Sequence, residues 1–118
     1  MLDRNTSPET LLAVYGTLAP GRSNHNQLEG LAGSWLEGTV RGQVFEQAWC
    51  GYPGIILNAD GPSVSVLLFH SPDLPKHWER LDAFEGVGYR RVLTQVSRED
   101  GDVDAYIYEL AQEVNQNS

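Results

Sequence analysis

Two stretches of this 118-residue chain combine residue types that could do chemistry. The first is Leu81-Asp82-Ala83-Phe84-Glu85-Gly86-Val87-Gly88-Tyr89-Arg90-Arg91. At about 100° per residue, Leu74, Trp78 and Leu81 share one helical stripe, and Glu85 projects onto it. A carboxyl turned toward apolar neighbours loses hydration, so its charged form is disfavoured and its pKa rises. Tuned in this way, a glutamate can accept a proton and return it near neutral pH. The structural alternative is a helix that ends at Phe84 and leaves Glu85 on a solvated loop.

The second stretch is Tyr15-Gly16-Thr17-Leu18, at the end of a short apolar run. Gly16 admits backbone conformations closed to other residues, so that successive N–H groups can point the same way and hold a carboxylate or an oxyanion. A tight strand-to-helix turn would use the same residues. Other polar side chains carry weaker signals. His25 is best explained as ordering its loop by hydrogen bonding. His70 and His77 have no partner at ligand spacing, so no metal site is expected. Cys50 stands among turn residues without an identifiable base, against a nucleophilic role. Asp82 reads as a surface or capping acid. One of Arg90 and Arg91 is expected to bridge to the acid-rich helix end while the other is solvated, and Arg91 is placed on the pocket side.

The elements that must position these groups follow from pattern. Leu11 to Tyr15 reads as a buried strand, and Ser23 caps a short helix closed by Gly30. Trp35 to Trp49 alternates as one long or bent strand, with a bulge expected near Gly42. Cys50 to Gly54 reads as a turn, Ile55 to Leu57 as a strand, and Asn58 to Pro62 as a second turn. Ser63 to Phe69 is apolar enough to suggest a strand buried on both faces. Ser71-Pro72-Asp73 is the start signal for the main helix, which is expected to run to about Phe84. Tyr89 to Val96 and Val103 to Leu110 form a hairpin about Arg98 to Asp102. Trp35, Trp49 and Trp78 are expected in the core or the pocket wall. The sum is an α+β domain over 11–110: a small, mixed but mostly antiparallel β-barrel of about six strands with two flanking helices. Residues 1–10 and 111–118 are expected to be flexible.

Sixteen acidic against eight basic side chains give a net charge of −8, the wrong sign for binding a phosphate backbone, so nucleic acid is not an expected partner. The apolar run from Val64 to Phe69 is too short to span a bilayer, and residues 1–8 lack the apolar core of a secretory signal. No membrane association is expected. A single cysteine fits a reducing cytoplasm.

Val14-Tyr15-Gly16-Thr17-Leu18, Gly21, Asn24-His25, Leu28, Gly42 and Tyr52-Pro53 come first. The acidic stretch with Tyr89-Arg90-Arg91 follows, and then Ala105-Tyr106-Ile107-Tyr108. Together they resemble the gamma-glutamylcyclotransferase-like superfamily, in particular its short AIG2-like branch, which includes gamma-glutamylaminecyclotransferase. The resemblance runs from about Leu11 to Leu110. Its most specific part is a YGTL loop followed, about seventy residues on, by D-x-x-E-G-x-x-Y-x-R. It implies a small barrel with a cavity between its loops. The backbone of Tyr15, Gly16, Thr17 and Leu18 would hold a gamma-glutamyl head, with Glu85 as general acid/base. Tyr89, Tyr52 on the cavity rim, and Tyr108 or Tyr106 on the last strand would complete the site. The implied reaction is intramolecular cleavage of a gamma-glutamyl amide to 5-oxoproline and an amine, without metal or organic cofactor. A non-catalytic module of the same fold, capturing a small carboxylate-bearing ligand, is the alternative from another class. A related lyase or acyl transfer on a different amide is a third.

Overall fold

A computed structural model describes residues 6–15, 27–49 and 52–111, of which 46–49 and 52 by backbone alone. These residues include six strands: β1 (Leu11–Val14), β2 (Ser34–Trp49), β3 (Tyr52–Leu57), β4 (Ser63–His70), β5 (Tyr89–Arg98) and β6 (Gly101–Leu110). One α-helix, α1 (Trp78–Glu85), lies between β4 and β5. The strands run in the order β3-β2-β4-β1-β6-β5. Thr39 of β2 also pairs with Ser97 of β5, which closes β2, β4, β1, β6 and β5 into a five-stranded barrel with β3 as an added strand. All pairings are antiparallel except β1 with β6, where Leu12 and Ala13 lie beside Tyr106 and Ile107 in parallel. The mixed barrel read from the sequence is therefore the fold.

Closure divides the apolar side chains into two cores. Leu11, Ala13, Val40, Ile55, Val66, Leu68, Val96, Val103, Ala105 and Ile107 come from every strand and fill the barrel. Leu12, Val14, Phe69, Leu74, Trp78, Leu81 and Tyr108 form a second cluster under α1. Because side chains alternate across a strand, β1 must be apolar throughout to serve both, and all four of its residues are buried.

Several elements differ from the sequence reading. The main helix does not begin at Ser71-Pro72-Asp73. Two prolines, at 72 and 75, interrupt regular hydrogen bonding, so Leu74–Lys76 forms a 3-10 turn and α1 starts only at Trp78. Ser71 makes a local turn before it instead, its Oγ accepting the Asp73 N–H at 3.1 Å. The expected first helix lies mostly outside the described residues. Tyr52-Pro53-Gly54 is strand, not turn. The irregularity in β2 falls between Phe45 and Trp49, not at Gly42. β4 is buried on both faces only toward its end, where short β1 reaches it, and Ser63 and Ser65 are exposed. Ser7 to Thr10, expected within a flexible lead-in, includes a 3-10 turn whose Glu9 carbonyl accepts the Trp78 indole N–H at 2.9 Å.

Gly42 is needed for close approach. A Cβ there would lie 2.6 Å from the Ile56 carbonyl oxygen, a backbone atom with little freedom to move. Gly42→Ala is expected to destabilise the protein by on the order of 2 kcal/mol in denaturant unfolding. Gly30→Ala, which meets nothing within 4 Å, should change stability little.

Candidate active site

Glu85 is the last residue of α1. Trp78 and Leu81, two turns and one turn earlier, are the helix's buried residues, so the i, i+3, i+4 spacing that seats them also turns Glu85 toward the protein. Gly86 follows with φ 77°, a conformation that suits glycine, and its N–H bonds the Asp82 carbonyl to end the helix directly after the acid. Among the described residues no donor or cation contacts the Glu85 carboxyl. Burial alone pushes its pKa up to about 7.

Tyr15 and Tyr108 lie within electrostatic reach of this carboxyl. Tyr15 follows β1 directly. Its hydroxyl donates to the Tyr108 carbonyl oxygen at 2.6 Å and accepts the Ile55 N–H at 3.1 Å. Burial raises its pKa, and the charges of Tyr89, Glu85 and Glu109 add to the shift. Tyr89 opens β5 and donates its hydroxyl proton to the Pro53 carbonyl oxygen at 2.6 Å. Tyr108, on β6, donates to Asp82 Oδ1 at 2.7 Å. Its pKa is raised by burial first, then by Asp82, with Glu85 contributing. The structure thus brings Glu85, Tyr15, Tyr89 and Tyr108 together. Tyr52 contributes its backbone to β3. Gly16, Thr17 and Leu18 lie outside the described residues, as do His25 and Cys50.

Two groups were missed in the sequence. Asp82 lies at the surface, as expected, but does not cap: it takes a bidentate ion pair from Arg91, Nε to Oδ1 at 2.8 Å and Nη2 to Oδ2 at 3.2 Å, as well as the Tyr108 proton. Burial would raise its pKa, but the hydrogen bonds from Arg91 and Tyr108 outweigh it and hold the carboxyl below its usual value. The Arg91 guanidinium lies 4.5 Å from the Trp78 ring centre and 4.7 Å from that of Tyr106. The signal was available in Asp82 and Glu85 at i, i+3 and in Tyr89 and Arg91 at i, i+2. Glu109 is the second. It is 6% exposed, pairs with Arg90 at 3.1 Å and accepts the Leu57 N–H at 3.4 Å, so Arg90 is not simply solvated.

Among the described residues no group of three or more His, Cys, Asp or Glu side chains is placed to hold a metal ion. None of the helices described is long and apolar enough to cross a membrane.

A small closed barrel whose one described α-helix ends on a half-buried carboxyl of raised pKa defines the class of scaffold. The chain belongs to the AIG2-like gamma-glutamyl cyclotransferase family, whose model matches residues 12–118. No curated protein matches the chain significantly. Solved structures share the fold. An AIG2-like protein from Mus musculus is 21% identical with a TM-score of 0.70, over 86% of this chain and 77% of that one. An uncharacterized protein from Pyrococcus horikoshii is 24% identical with a TM-score of 0.64, over 92% and 94%. A protein from Arabidopsis thaliana is 23% identical with a TM-score of 0.68, over 92% and 74%.

The raised Glu85 pKa has a stability consequence. The folded state binds this proton more tightly than the unfolded chain, so its contribution is complete below the ordinary carboxyl value of 4.5 and is lost as pH rises through about 7. Glu85→Gln should therefore be the more stable protein at pH 8, by on the order of 2–3 kcal/mol, and lose that advantage at pH 4. Denaturant unfolding at the two pH values reads the difference.

Proposed function

We propose that the protein cleaves a gamma-glutamyl amide by intramolecular attack, releasing 5-oxoproline and a free amine, with Glu85 as general acid/base. The observation that carries the proposal is the Glu85 carboxyl: half-buried, without a donor among the described residues, with a pKa of about 7 and within electrostatic reach of Tyr15. Membership of the family supports the reaction class.

In this reaction the substrate's alpha-amino nitrogen attacks its own gamma-carbonyl carbon. A C–N bond forms to close the five-membered ring, and the original amide C–N bond breaks. The attacking nitrogen must lose a proton and the leaving nitrogen must gain one. A carboxyl with a pKa near the working pH can take the first and deliver it to the second, so no net proton or cofactor is required. Because nucleophile and electrophile belong to one molecule, much of the rate comes from proximity once the glutamyl group is folded for attack. The backbone amides of Gly16 to Leu18 are assigned, on their sequence, to the alpha-carboxylate or the developing oxyanion. Tyr89 holds β3, whose Tyr52-Pro53-Gly54 end is assigned to the cavity rim. The low cysteine content fits action in the cytoplasm.

The test is release of 5-oxoproline from a panel of gamma-glutamyl amines, amino acids and peptides. At least one should be turned over, with kcat/KM rising with pH through a midpoint near 7 as Glu85 of the free enzyme loses its proton. Glu85→Gln should reduce kcat by at least about a hundredfold and still bind 5-oxoproline in a thermal-shift titration. Full activity in Glu85→Gln overturns the assignment of the base. Stabilisation by glutamyl compounds that are never consumed indicates a binding module instead.

A further inference from the structure

We propose that Asp82 and Tyr108 are positioning residues for Glu85, fixing the end of α1 on β6 and so setting where the carboxyl sits beside Tyr15. The helix needs such an anchor. It is eight residues long, has no side-chain cap at its N-terminus and buries only Trp78 and Leu81. An isolated helix of that length is not stable in water. Trp78 fastens its first turn, through the indole N–H to the Glu9 carbonyl. At the other end Asp82 is the α1 side chain that, among the described residues, bonds to β5 and β6. It lies one turn before Glu85.

Tyr108 faces both ways. Its hydroxyl donates to Asp82, while its carbonyl oxygen accepts the Tyr15 hydroxyl, which in turn accepts the Ile55 N–H. One continuous series of hydrogen bonds therefore runs from α1 through β6 and the end of β1 to β3. Tyr108 is 5% exposed, which suits a structural link better than a ligand contact. Arg91, seated between Trp78 and Tyr106, holds the charge that keeps Asp82 an acceptor. Release of this link lets the helix end swing toward water and separates Glu85 from Tyr15. Among the described residues, Tyr15 and Tyr108 lie within electrostatic reach of Glu85, with Tyr89 and Glu109 acting on Tyr15 and the Asp82–Arg91 pair acting on Tyr108.

The proposal rests on the cyclotransferase reading only for what the position is used for, so the first measurement needs no substrate. In 13C-labelled protein, the Glu85 carboxyl resonance, assigned by its loss in Glu85→Gln, is titrated by NMR. The wild-type midpoint should lie near 7. In Tyr108→Phe and Asp82→Ala it should fall by about one unit or more toward that of a solvated carboxylate. Asp82→Asn, which keeps an acceptor for Tyr108, should fall between. Gly38→Ala, whose Cβ would press on the Val96 side chain at 2.5 Å and so destabilise the β2–β5 seam at the end of β5 away from Tyr89 and Arg91, should not move it, which separates positioning from general loss of stability. With an active substrate, kcat should fall about tenfold in Tyr108→Phe while KM changes little. An unmoved midpoint in folded Tyr108→Phe, or a wild-type midpoint in the ordinary carboxylate range, overturns the proposal. The near-isosteric Tyr108→Phe and Asp82→Asn remain decisive if Asp82→Ala does not fold. A shifted midpoint without any 5-oxoproline formation keeps the positioning role and removes the proposed chemistry.

Discussion

An ionisable carboxyl against apolar surroundings, with no donor to compensate it, is an unfavourable thing to bury. In this protein the charged form of Glu85 opposes the fold at neutral pH, and the surrounding structure must hold the side chain in place nonetheless. The short helix that carries it contributes little toward that. The work falls to contacts outside the helix: the Trp78 indole on the Glu9 carbonyl, the Asp82 ion pair, and the glycine that ends the helix immediately after the acid. A helix continued by another turn, or begun at Ser71 as its cap signal suggests, would carry Glu85 differently.

The tyrosines assigned to the site serve the fold as well as the pocket. β3 pairs with β2 along one edge only. Along its other edge Pro53, Ile55 and Leu57 turn their polar backbone groups away from β2, because successive residues of a strand point to alternate sides. The Pro53 carbonyl accepts from the Tyr89 hydroxyl, the Ile55 N–H reaches the Tyr15 hydroxyl, and the Leu57 N–H reaches the Glu109 carboxylate. Three side chains thus take the place of a neighbouring strand and satisfy groups that would be costly to leave unpaired. Through them the added strand is fixed to β1, β5 and β6, the elements that also surround Glu85. Substitutions at Tyr15 or Tyr89 therefore act on the wall of the site as well as on its interior.

Much of this was legible in the chain because it follows from local rules. Leu11 to Val14 is apolar at every position, and a short run of that kind requires cover on both faces, which the barrel core and the helix cluster supply. The alternation of Trp35 to Trp49 and of the last two strands carried the antiparallel pairing, and Glu85 on the Trp78–Leu81 stripe carried the buried acid. The helix start was misread because a hydroxyl followed by proline and aspartate signals a helix N-terminus and an ST turn alike. Pro75 decided between them by withholding a second N–H. Asp82 is exposed, as its place on the helix suggests, but only the fold brings Arg91 and Tyr108 to it.

The sequence by itself determined which segments are apolar, the family signature, and an acid on the apolar stripe of a helix, since each depends on residue type and on spacing within one element. The tertiary structure decided what those residues touch. Closure of β2 onto β5, the parallel seating of β1 beside β6, and the fastening of β3 join groups dozens of residues apart, and no local propensity encodes such pairs. Glu85 shows the division most clearly. Its position on the helix stripe could be read from the chain, whereas the loss of water that tunes it depends on neighbours delivered by other strands.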